Sequence, residues 1–366
     1  MIIIKQIKDT IEGTVYDAIS EIRYKPQHER VLIKPCIPSP CRIGSPYITN
    51  HRITAGVIDY LRHQGIREII VGEGPLRDYE KTFAMSGYEK MCKEKNVRLV
   101  NLHYAERRGI KWDYGEIQIP SLLTDSEYIN IAKLKVHTST TVTLGMKNQM
   151  GLLTKEDNKK NHLLGLHRPI AALSSVVKPN LTIIDAINGE QGGPPGKHGQ
   201  EVKGINLVIC GTNILATDAT AAMLMGFSPE NILHLKIAND MGLGDFEDEI
   251  QGVSLDECRM NFAPLTDHRR ICKLYYHWTD ETCSGCLGLM AEIRSTALAH
   301  PWHLGRFIRY GLLQRMDILT GKPKTIPKTL GRILGVGDCM RDIASKHGIP
   351  FVHGCPPRAV DVLRQM

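Results

Sequence analysis

Four cysteines near the end of the chain have a spacing that suits a metal centre. Cys283 and Cys286 form a C-x2-C pair in ETCSGCLG, and Cys339 and Cys355 follow after 52 and 15 intervening residues, in VGDC and HGCPP. Gly285 permits the tight turn that lets both paired thiolates reach one centre. Four convergent thiolates suit a [4Fe–4S] cluster or a structural Zn²⁺ ion, and unrelated packing thiols are the third interpretation.

The elements around Cys339 and Cys355 indicate how these two thiols meet. The runs Arg332 to Val336 and Ile349 to Val352 predict two short strands, with a short helix over Met340 to His347 between them. A connection of this length is about the minimum for a β-α-β unit, whose strands run parallel. We therefore expect both cysteines at the same edge of a sheet. Single ligands at strand ends favour a cluster over zinc, whose structural ligands usually come as two C-x2-C pairs.

The segments ETCSGC, VGDC and HGCPPRAVDVL resemble the ligand segments of the cluster-binding small subunits of nickel–iron hydrogenases and of complex I. The resemblance covers only the C-terminal part of the chain. It implies a flavodoxin-like sheet and one [4Fe–4S] cluster held by Cys283, Cys286, Cys339 and Cys355, with Zn²⁺ as the alternative occupant.

A second group of polar residues lies between Lys135 and Arg168. Ammonium groups, hydroxyls, amides and imidazoles in so short a span suit a small carboxylate or phosphate, and a desolvated lysine can move protons near neutral pH. A solvated polar loop is the alternative. Candidate catalytic residues are Lys135, His137, Lys147 and His162. Candidate substrate-binding residues are Lys34, Thr141, Thr143, Asn148 and Asp185.

Strand and helix signals alternate along the chain. Strands are predicted at Arg30 to Ile33, Arg67 to Val71, Val97 to Leu102, Tyr128 to Leu134, Leu181 to Ile184 and Asn206 to Ile209, and a helix at Thr54 to Gln64. The alternation predicts an α/β fold, a mostly parallel sheet with helices on both faces, plus a smaller C-terminal α/β region. Ligands of such sheets bind beyond the carboxyl ends of the strands. We expect two domains, 1–250 and 251–366.

Five segments, together with His162, resemble the DUF362 family of uncharacterised proteins: VLIKP (31–35), VGEG (71–74), KVHTSTTVTLGMKNQMGLL (135–153), IIDAINGEQGGPPG (183–196) and LATDATAAMLMG (215–226). The resemblance spans residues 30–245. It implies an α/β fold and a redox context, since members are often linked to ferredoxin-like iron–sulfur modules, but no particular reaction. The chain departs from the family at Cys36, where an Asn commonly follows Lys-Pro.

Bulk composition excludes several function classes. The chain has 366 residues, of which 42% are hydrophobic and 23% charged, as in globular proteins. It has no Lys/Arg tract of the kind that binds nucleic acid. It has no apolar stretch of the roughly 18 residues that membrane insertion needs, and the N-terminal apolar run is too short for a signal peptide. We expect a cytoplasmic protein, in which disulfides are rare and only the clustered thiols among the ten cysteines point to metal binding or catalysis.

Two hypotheses of function follow. The first is an iron–sulfur oxidoreductase or electron-transfer protein, whose cluster passes electrons to a small anionic substrate or to a redox protein partner. The second is a non-redox isomerase or lyase acting on a small carboxylate, with a structural cluster. A third alternative is a binding protein that is stabilised by zinc. Whether the chain is an enzyme, and whether it forms a homo-oligomer, stay open at this point.

Overall fold

A computed structural model describes residues 1–76, 78–137, 139–192, 199–263, 270–279, 282, 286, 288–299 and 301–366. Its strands are β1 (Ile2–Gln6), β2 (Arg30–Lys34), β3 (Glu68–Glu73), β4 (Arg98–Asn101), β5 (Arg107–Trp112), β6 (Gly115–Pro120), β7 (Glu127–His137), β8 (Thr141–Thr143), β9 (Leu181–Gln191), β10 (Gln200–Val202), β11 (Leu207–Gly211), β12 (Ile250–Gly252), β13 (Arg270–Ile271), β14 (Leu274–His277), β15 (Met316–Leu319), β16 (Arg332–Val336) and β17 (Phe351–Val352).

The α-helices are α1 (Ile11–Glu21), α2 (His51–His63), α3 (Tyr79–Met85), α4 (Tyr88–Glu94), α5 (Gly145–Asn148), α6 (Lys155–Leu164), α7 (His167–Val176), α8 (Ile214–Leu224), α9 (Leu233–Asp240), α10 (Leu255–Cys258), α11 (Leu289–Ala299), α12 (Pro301–Ile308), α13 (Arg341–His347) and α14 (Ala359–Gln365). A π-helical turn, Arg309–Leu313, follows α12.

Ten strands form one large sheet, with the order β12-β1-β11-β9-β7-β2-β3-β4 and with β8 and β10 paired to β7 and β9. The central strands β9, β7, β2, β3 and β4 run parallel. β11 is antiparallel to β9 and to β1, at one side of the sheet. The mostly parallel α/β fold expected from the sequence is confirmed, with an antiparallel part that the sequence did not indicate.

Successive residues of the central strands enter two different cores. On β7, Ile129 and Ile131 pack in one buried cluster, while Ala132 and Leu134 pack in the other, on the opposite face. Helices cover both faces, so the central strands are apolar at nearly every position instead of alternating. The odd-numbered face of β7 changes from isoleucine to Lys133, Lys135 and His137 towards its carboxyl end.

A second sheet lies in the C-terminal part of the chain. Its five strands have the order β13-β14-β15-β16-β17, and β14 to β17 are parallel. The predicted strand–helix–strand unit is confirmed as β16, α13 and β17. This sheet has its own core, in which Leu289 and Ile293 of α11 pack with Val362 of α14.

The first core extends past residue 250. β12 pairs with β1, and Phe262 packs in the first core. The division at residues 250 and 251 stays a prediction. Among the described residues, none of the helices has the length and apolar content needed to cross a bilayer.

Candidate functional site

The strand order of the large sheet reverses between β2 and β7, because β3 and β4 lie on one side of β2 while β7 and β9 lie on the other. In open α/β sheets the ligand crevice is at the carboxyl ends of the two strands that flank such a reversal. β2 ends at Lys34 and β7 ends at His137. The predicted residues Lys34, Lys135 and His137 therefore lie at the strand ends where this topology places a ligand crevice, and we use that name for their surroundings.

Lys34 is fully buried, and protein atoms satisfy its ammonium group. Its Nζ lies 2.8 Å from Glu73 Oε1 and donates to Asn148 Oδ1 at 3.1 Å. Glu73 also accepts from two backbone N–H groups, those of Ile37 and Gly74. These contacts join β2, β3 and α5, which favours a positioning role for Lys34 and Asn148 over direct binding of substrate.

A second buried ion pair links β7 to β9. Lys133 Nζ lies 2.9 Å from Asp185 Oδ1 and donates to Asn188 Oδ1 at 2.7 Å. Asp185 also accepts from the backbone N–H groups of Asn50 and Ile187, at 2.7 and 3.0 Å. Burial lowers the pKa of Lys133, and the Asp185 carboxylate opposes that effect. The sequence analysis named Asp185 and missed Lys133, because their pairing depends on the register of two strands far apart in the chain.

Lys135 follows on the same face of β7. Its Nζ donates to the Tyr47 carbonyl at 2.8 Å and lies 3.9 Å from the centre of the Tyr47 ring. It also hydrogen-bonds the side chain of Cys36, in the loop after β2. Burial lowers the pKa of Lys135, but Cys36, Tyr47 and Glu190 raise it by more, so its pKa lies above the ordinary value. Lys135 is thus a fixed positive charge in the crevice.

The short strand β8 places the predicted threonines beside these groups. Thr143 lies directly opposite Lys135, and Thr141 opposite His137, so each pair shares a face of the sheet. Thr143 Oγ1 is buried, with no hydrogen-bond partner among the described residues. Thr141 has a φ of 65°, which β-branched residues rarely adopt. A buried hydroxyl beside a lysine offers a hydrogen bond to an oxygen of a bound ligand.

Lys147 lies on α5, a one-turn helix. The first two amides of that helix, those of Gly145 and Met146, donate to the buried Asp218 carboxylate at 2.7 and 2.8 Å. Burial, with a smaller contribution from the charge of Lys135, lowers the pKa of Lys147 to about 8. Within the part of the chain that the structure describes, its ammonium has no hydrogen-bond or ion-pair partner. Lys147 is therefore suited to bind an anion or to transfer a proton near neutral pH.

Two histidines are buried near Lys147. The ring centroids of His167 and His234 lie 5.8 Å apart. Neither ring nitrogen of His234 has a hydrogen-bond partner among the residues described. Burial, together with the charges of His167 and Lys147, lowers the pKa of His234 well below its ordinary value, so that its ring is neutral. The sequence analysis missed His234, which lies on α9, far along the chain from the basic segment.

The last two candidate histidines are His137 and His162. His137 Nδ1 accepts a hydrogen bond from the Ser139 N–H at 3.1 Å, so its proton is on Nε2 when the ring is neutral. His162 belongs to α6, and its side chain lies outside the described residues.

Two of the predicted metal-binding thiols meet at the end of β16. A β-carbon built on Gly337 would lie 3.2 Å from Cys286 Sγ and 3.4 Å from Cys339 Sγ. Gly337 has a φ of 92°, which a residue with a side chain rarely adopts. The fold therefore brings together two sulfurs that are 52 intervening residues apart in sequence.

Two hydrogen bonds hold the loop that contains Cys355 against the same strand end. The Asp338 N–H donates to the Gly354 carbonyl at 3.0 Å, and Asp338 Oδ1 accepts from the Gly354 N–H at 3.2 Å. β16 and β17 are parallel, so Cys339 and Cys355 follow strand ends at one edge, as expected. Cys283 lies outside the described residues. Among those described, no three His, Cys, Asp or Glu side chains group together as a metal site. The four-thiol assignment stays a prediction.

The segment formed by Cys286 and Gly288, called the thiol loop below, contacts the crevice of the large sheet. Gly288, two residues after Cys286, lies against the backbone of Ser139, and a β-carbon on Gly288 would be 2.7 Å from the Ser139 carbonyl oxygen. Ser139 follows His137 at the end of β7 and is hydrogen-bonded to it. The two groups of candidate residues, which the sequence left unconnected, therefore meet at this contact.

The crevice residues fall within a segment that matches a known family. The family model described as "Domain of unknown function (DUF362)" matches residues 31–223, which is more than half of the chain. The chain belongs to the DUF362 family. The DUF362 segment includes the crevice residues Lys34, Lys135, Lys147 and Asp218, whereas the C-terminal thiols lie beyond it.

A curated relative of this DUF362 protein is "Thylakoid-associated protein sll1697" from Synechocystis sp. (strain ATCC 27184 / PCC 6803 / Kazusa). The two are 22% identical over 225 residues, which cover 59% of this chain and 68% of the relative. No solved structure matches the chain.

Proposed function

We propose that this DUF362 protein is an iron–sulfur protein that reduces a small anionic substrate, or passes electrons to a partner, at the crevice between β2 and β7. Cys283, Cys286, Cys339 and Cys355 would hold a [4Fe–4S] cluster. The observation behind the proposal is the contact between Gly288 and Ser139, which puts the thiol loop against the strand end that bears Lys135 and His137.

The donors present fit such a cluster. Two sulfurs meet at Gly337, where the missing side chain leaves space between the loops. Thiolates are the usual ligands of iron–sulfur clusters, and the cluster supplies single electrons when bound. Asp338 and its hydrogen bonds to Gly354 would keep the Cys339 and Cys355 loops at a fixed separation.

The crevice residues would bind the substrate and manage its charge. Lys135 stays cationic and would attract a carboxylate or phosphate, and the Thr143 hydroxyl would donate to one of its oxygens. Lys147, with a pKa of about 8, would add a second positive charge and can give up its proton near neutral pH. Lys34, Lys133 and Asp185 would hold these groups in place through their buried ion pairs.

The lowered pKa of Lys147 also favours a second candidate function. A lysine with a pKa of about 8 suits acid–base catalysis on a small carboxylate, as in an isomerase or lyase, with the cluster only structural. A cytoplasmic location, a redox protein partner and self-association stay predictions.

Metal analysis of anaerobically purified protein tests the proposal. We expect a brown protein that contains iron, whose visible absorbance is bleached by dithionite and whose reduced form gives an EPR signal. Cys339→Ser and Cys355→Ser should lose iron, because ligand thiolates couple metal binding to folding. Cys272→Ser is the matched control, since Cys272 is also an exposed thiol of the C-terminal part.

Each alternative gives a different result. A colourless protein with one zinc would contradict the redox proposal and favour the binding protein. A coloured protein that dithionite leaves unchanged would favour the acid–base enzyme. Equal loss of iron from the Cys272→Ser control and the Cys339→Ser variant would refute the ligand assignment.

A further inference from the structure

The amino-terminal edge of the C-terminal sheet exposes three leucines. Leu312 and Leu313 end the π-helical turn before β15, and Leu330 precedes β16. Their exposed fractions are 54%, 68% and 109%. Side chains this exposed protrude from the surface, and apolar groups that protrude together mark an interaction surface.

The leucines lie close together because the two strands begin side by side. Met316 of β15 is in register with Arg332 of β16. The Arg332 N–H donates to the Arg315 carbonyl at 3.1 Å, and a β-carbon on Gly331 would lie 2.7 Å from the same oxygen. The chain just after Leu330 is thus in contact with the chain just after Leu313.

Basic residues neighbour the leucines, either along the chain or through a hydrogen bond. The guanidinium groups of Arg309 and Arg332 lie 5.5 and 5.9 Å from the centre of the Tyr310 ring. Arg309 precedes Leu312 and Leu313 in the chain, and Arg332 follows Leu330. Lys273 Nζ donates to the Leu313 carbonyl at 3.2 Å. We call this surface the basic–apolar edge, formed by Lys273, Arg309, Leu312, Leu313, Leu330 and Arg332.

This part of the chain is strongly basic. Residues 294–332 contain eight Lys and Arg and a single acidic residue, Asp317. Asp317 is fully buried and paired with Arg315 and His277. The excess of basic over acidic residues in this segment equals the net charge of +7 of the whole chain.

Two further apolar side chains are exposed on the helices that precede the edge in the chain. Trp302 of α12 is 90% exposed, whereas Phe307 of the same helix packs against the C-terminal core. Leu298, near the end of α11, is 62% exposed. A tryptophan and leucines among cationic side chains are typical of helices that lie in a lipid–water interface.

We propose that the basic–apolar edge binds peripherally to the surface of an anionic lipid bilayer. Protruding leucines enter a fluid interface without a matching cavity, whereas a folded partner needs a pocket for each of them. Basic side chains beside the apolar ones add attraction to acidic headgroups. The proposal concerns attachment to one leaflet, and it is independent of the function proposed for the crevice.

The edge lies at the opposite end of the C-terminal sheet from the thiols. Leu313 and Leu330 come just before β15 and β16, while Cys339 follows β16 and Cys355 follows β17. Because these strands are parallel, their beginnings and ends lie at opposite edges. A bilayer at the basic–apolar edge therefore leaves the thiol loops and the crevice away from the lipid.

Sedimentation of the full-length protein with vesicles tests the proposal. We expect binding to phosphatidylcholine vesicles that contain phosphatidylglycerol, little binding to phosphatidylcholine alone, and weaker binding at high salt. The double variant Leu313→Ser/Leu330→Ser should lose binding by about tenfold or more, because two leucines no longer enter the interface. Arg309→Gln should weaken binding to the anionic vesicles less.

The matched control is Leu76→Ser/Met241→Ser, which removes two exposed apolar side chains elsewhere, 58% and 40% exposed. It should bind like the wild type, and thermal unfolding should show that both double variants fold. The proposal is overturned if the wild type ignores anionic vesicles, or if both double variants bind equally well. It is also overturned if ultracentrifugation shows a dimer that Leu313→Ser/Leu330→Ser dissociates while vesicle binding persists, since the edge would then join two copies.

Discussion

At the scale of single residues, four lysines converge on the crevice, and their surroundings separate them into two kinds. Lys34 and Lys133 are buried with carboxylate partners, Glu73 and Asp185. Lys135 bonds a carbonyl and a thiol instead. Lys147 has no bonded partner in the described part of the chain. Lys135 and Lys147 are therefore the lysines without a carboxylate ion pair, and a ligand is left to balance their charge.

The pH dependence of stability should reveal the cost of the Lys147 charge. Its pKa is about 8 in the folded protein against an ordinary value of 10.5, so the unfolded chain binds more protons between these pH values. The Lys147 contribution therefore destabilises the fold below pH 8, and that penalty disappears as the pH rises towards 10.5. Lys147→Met should be more stable than the wild type at pH 7 by up to about 3 kcal/mol, because each unit of the pKa shift corresponds to about 1.4 kcal/mol. Urea unfolding across this pH range measures the difference.

Lys133→Met is the contrasting control for that prediction. It leaves the buried Asp185 carboxylate without its ammonium partner and should cost about 3 to 5 kcal/mol at pH 7. If Lys147→Met were equally destabilising at pH 7, Lys147 would have a structural partner and would not be the free charge of the crevice.

The sequence indicated candidate residues only where polar side chains suited to binding or catalysis lie together in one short stretch of the chain or next to a predicted strand. Lys135, Lys147 and Thr143 lie in one short polar segment after a strand, so the segment itself indicated them. Cys36, Tyr47 and His234 reach the same region from distant loops and helices, and only the fold places them there. Lys34 was correctly placed at a strand end, whereas Asp185 lies inside β9, which continues to Gln191. The sequence did not indicate that buried partners satisfy both side chains.

At the scale of secondary-structure elements, the short helix α5 depends on one side chain. Asp218, on α8, accepts from its first two amides. A helix of one turn is too short to be stable alone. The orientation of Lys147 and Asn148 therefore depends on a carboxylate that burial holds at a pKa of about 7.

Asp218→Ala should loosen α5. Two buried amides lose their acceptor, which costs about 2 kcal/mol or more. Hydrogen exchange measured by mass spectrometry should speed up over residues 145–148 and leave β2 and β3 unchanged. Asp240→Ala is the control, because Asp240 is an exposed carboxylate paired with Lys236 at the end of α9. Equal protection of α5 in both variants would show that Asp218 is dispensable for it.

The central strands were readable from the sequence because they are continuous apolar runs buried on both faces. β2, β3, β7 and β9 all begin within a residue or two of their predicted starts, although β7 and β9 run on into polar residues that the hydrophobic pattern could not include. β1 was not predicted, since an antiparallel partner, β11, defines it, and that partner comes about two hundred residues later in the chain. Order within a sheet depends on such distant pairings.

At the scale of the whole molecule, two units, the large sheet and the C-terminal sheet with their helices, come into contact at a glycine. Gly288 allows the thiol loop to touch the backbone of Ser139, at the end of the strand that bears Lys135 and His137. Contacts of this kind transmit position between units because the packed backbone has little room to adjust. The proposed transfer between thiols and crevice depends on this approach.

Gly288→Ala should separate the two units without unfolding either. The added methyl group would overlap the Ser139 backbone, so the thiol loop must move away, at a cost of about 1 to 3 kcal/mol. Hydrogen exchange should then rise over residues 139–143, and iron, where bound, should still be retained, because the cysteines are unchanged. Gly305→Ala is the matched control, since a β-carbon at that helical position meets nothing within 4 Å and should slightly stabilise α12. Unchanged exchange at residues 139–143 in Gly288→Ala would mean that the two units do not touch there in solution, and the link between thiols and crevice would be lost.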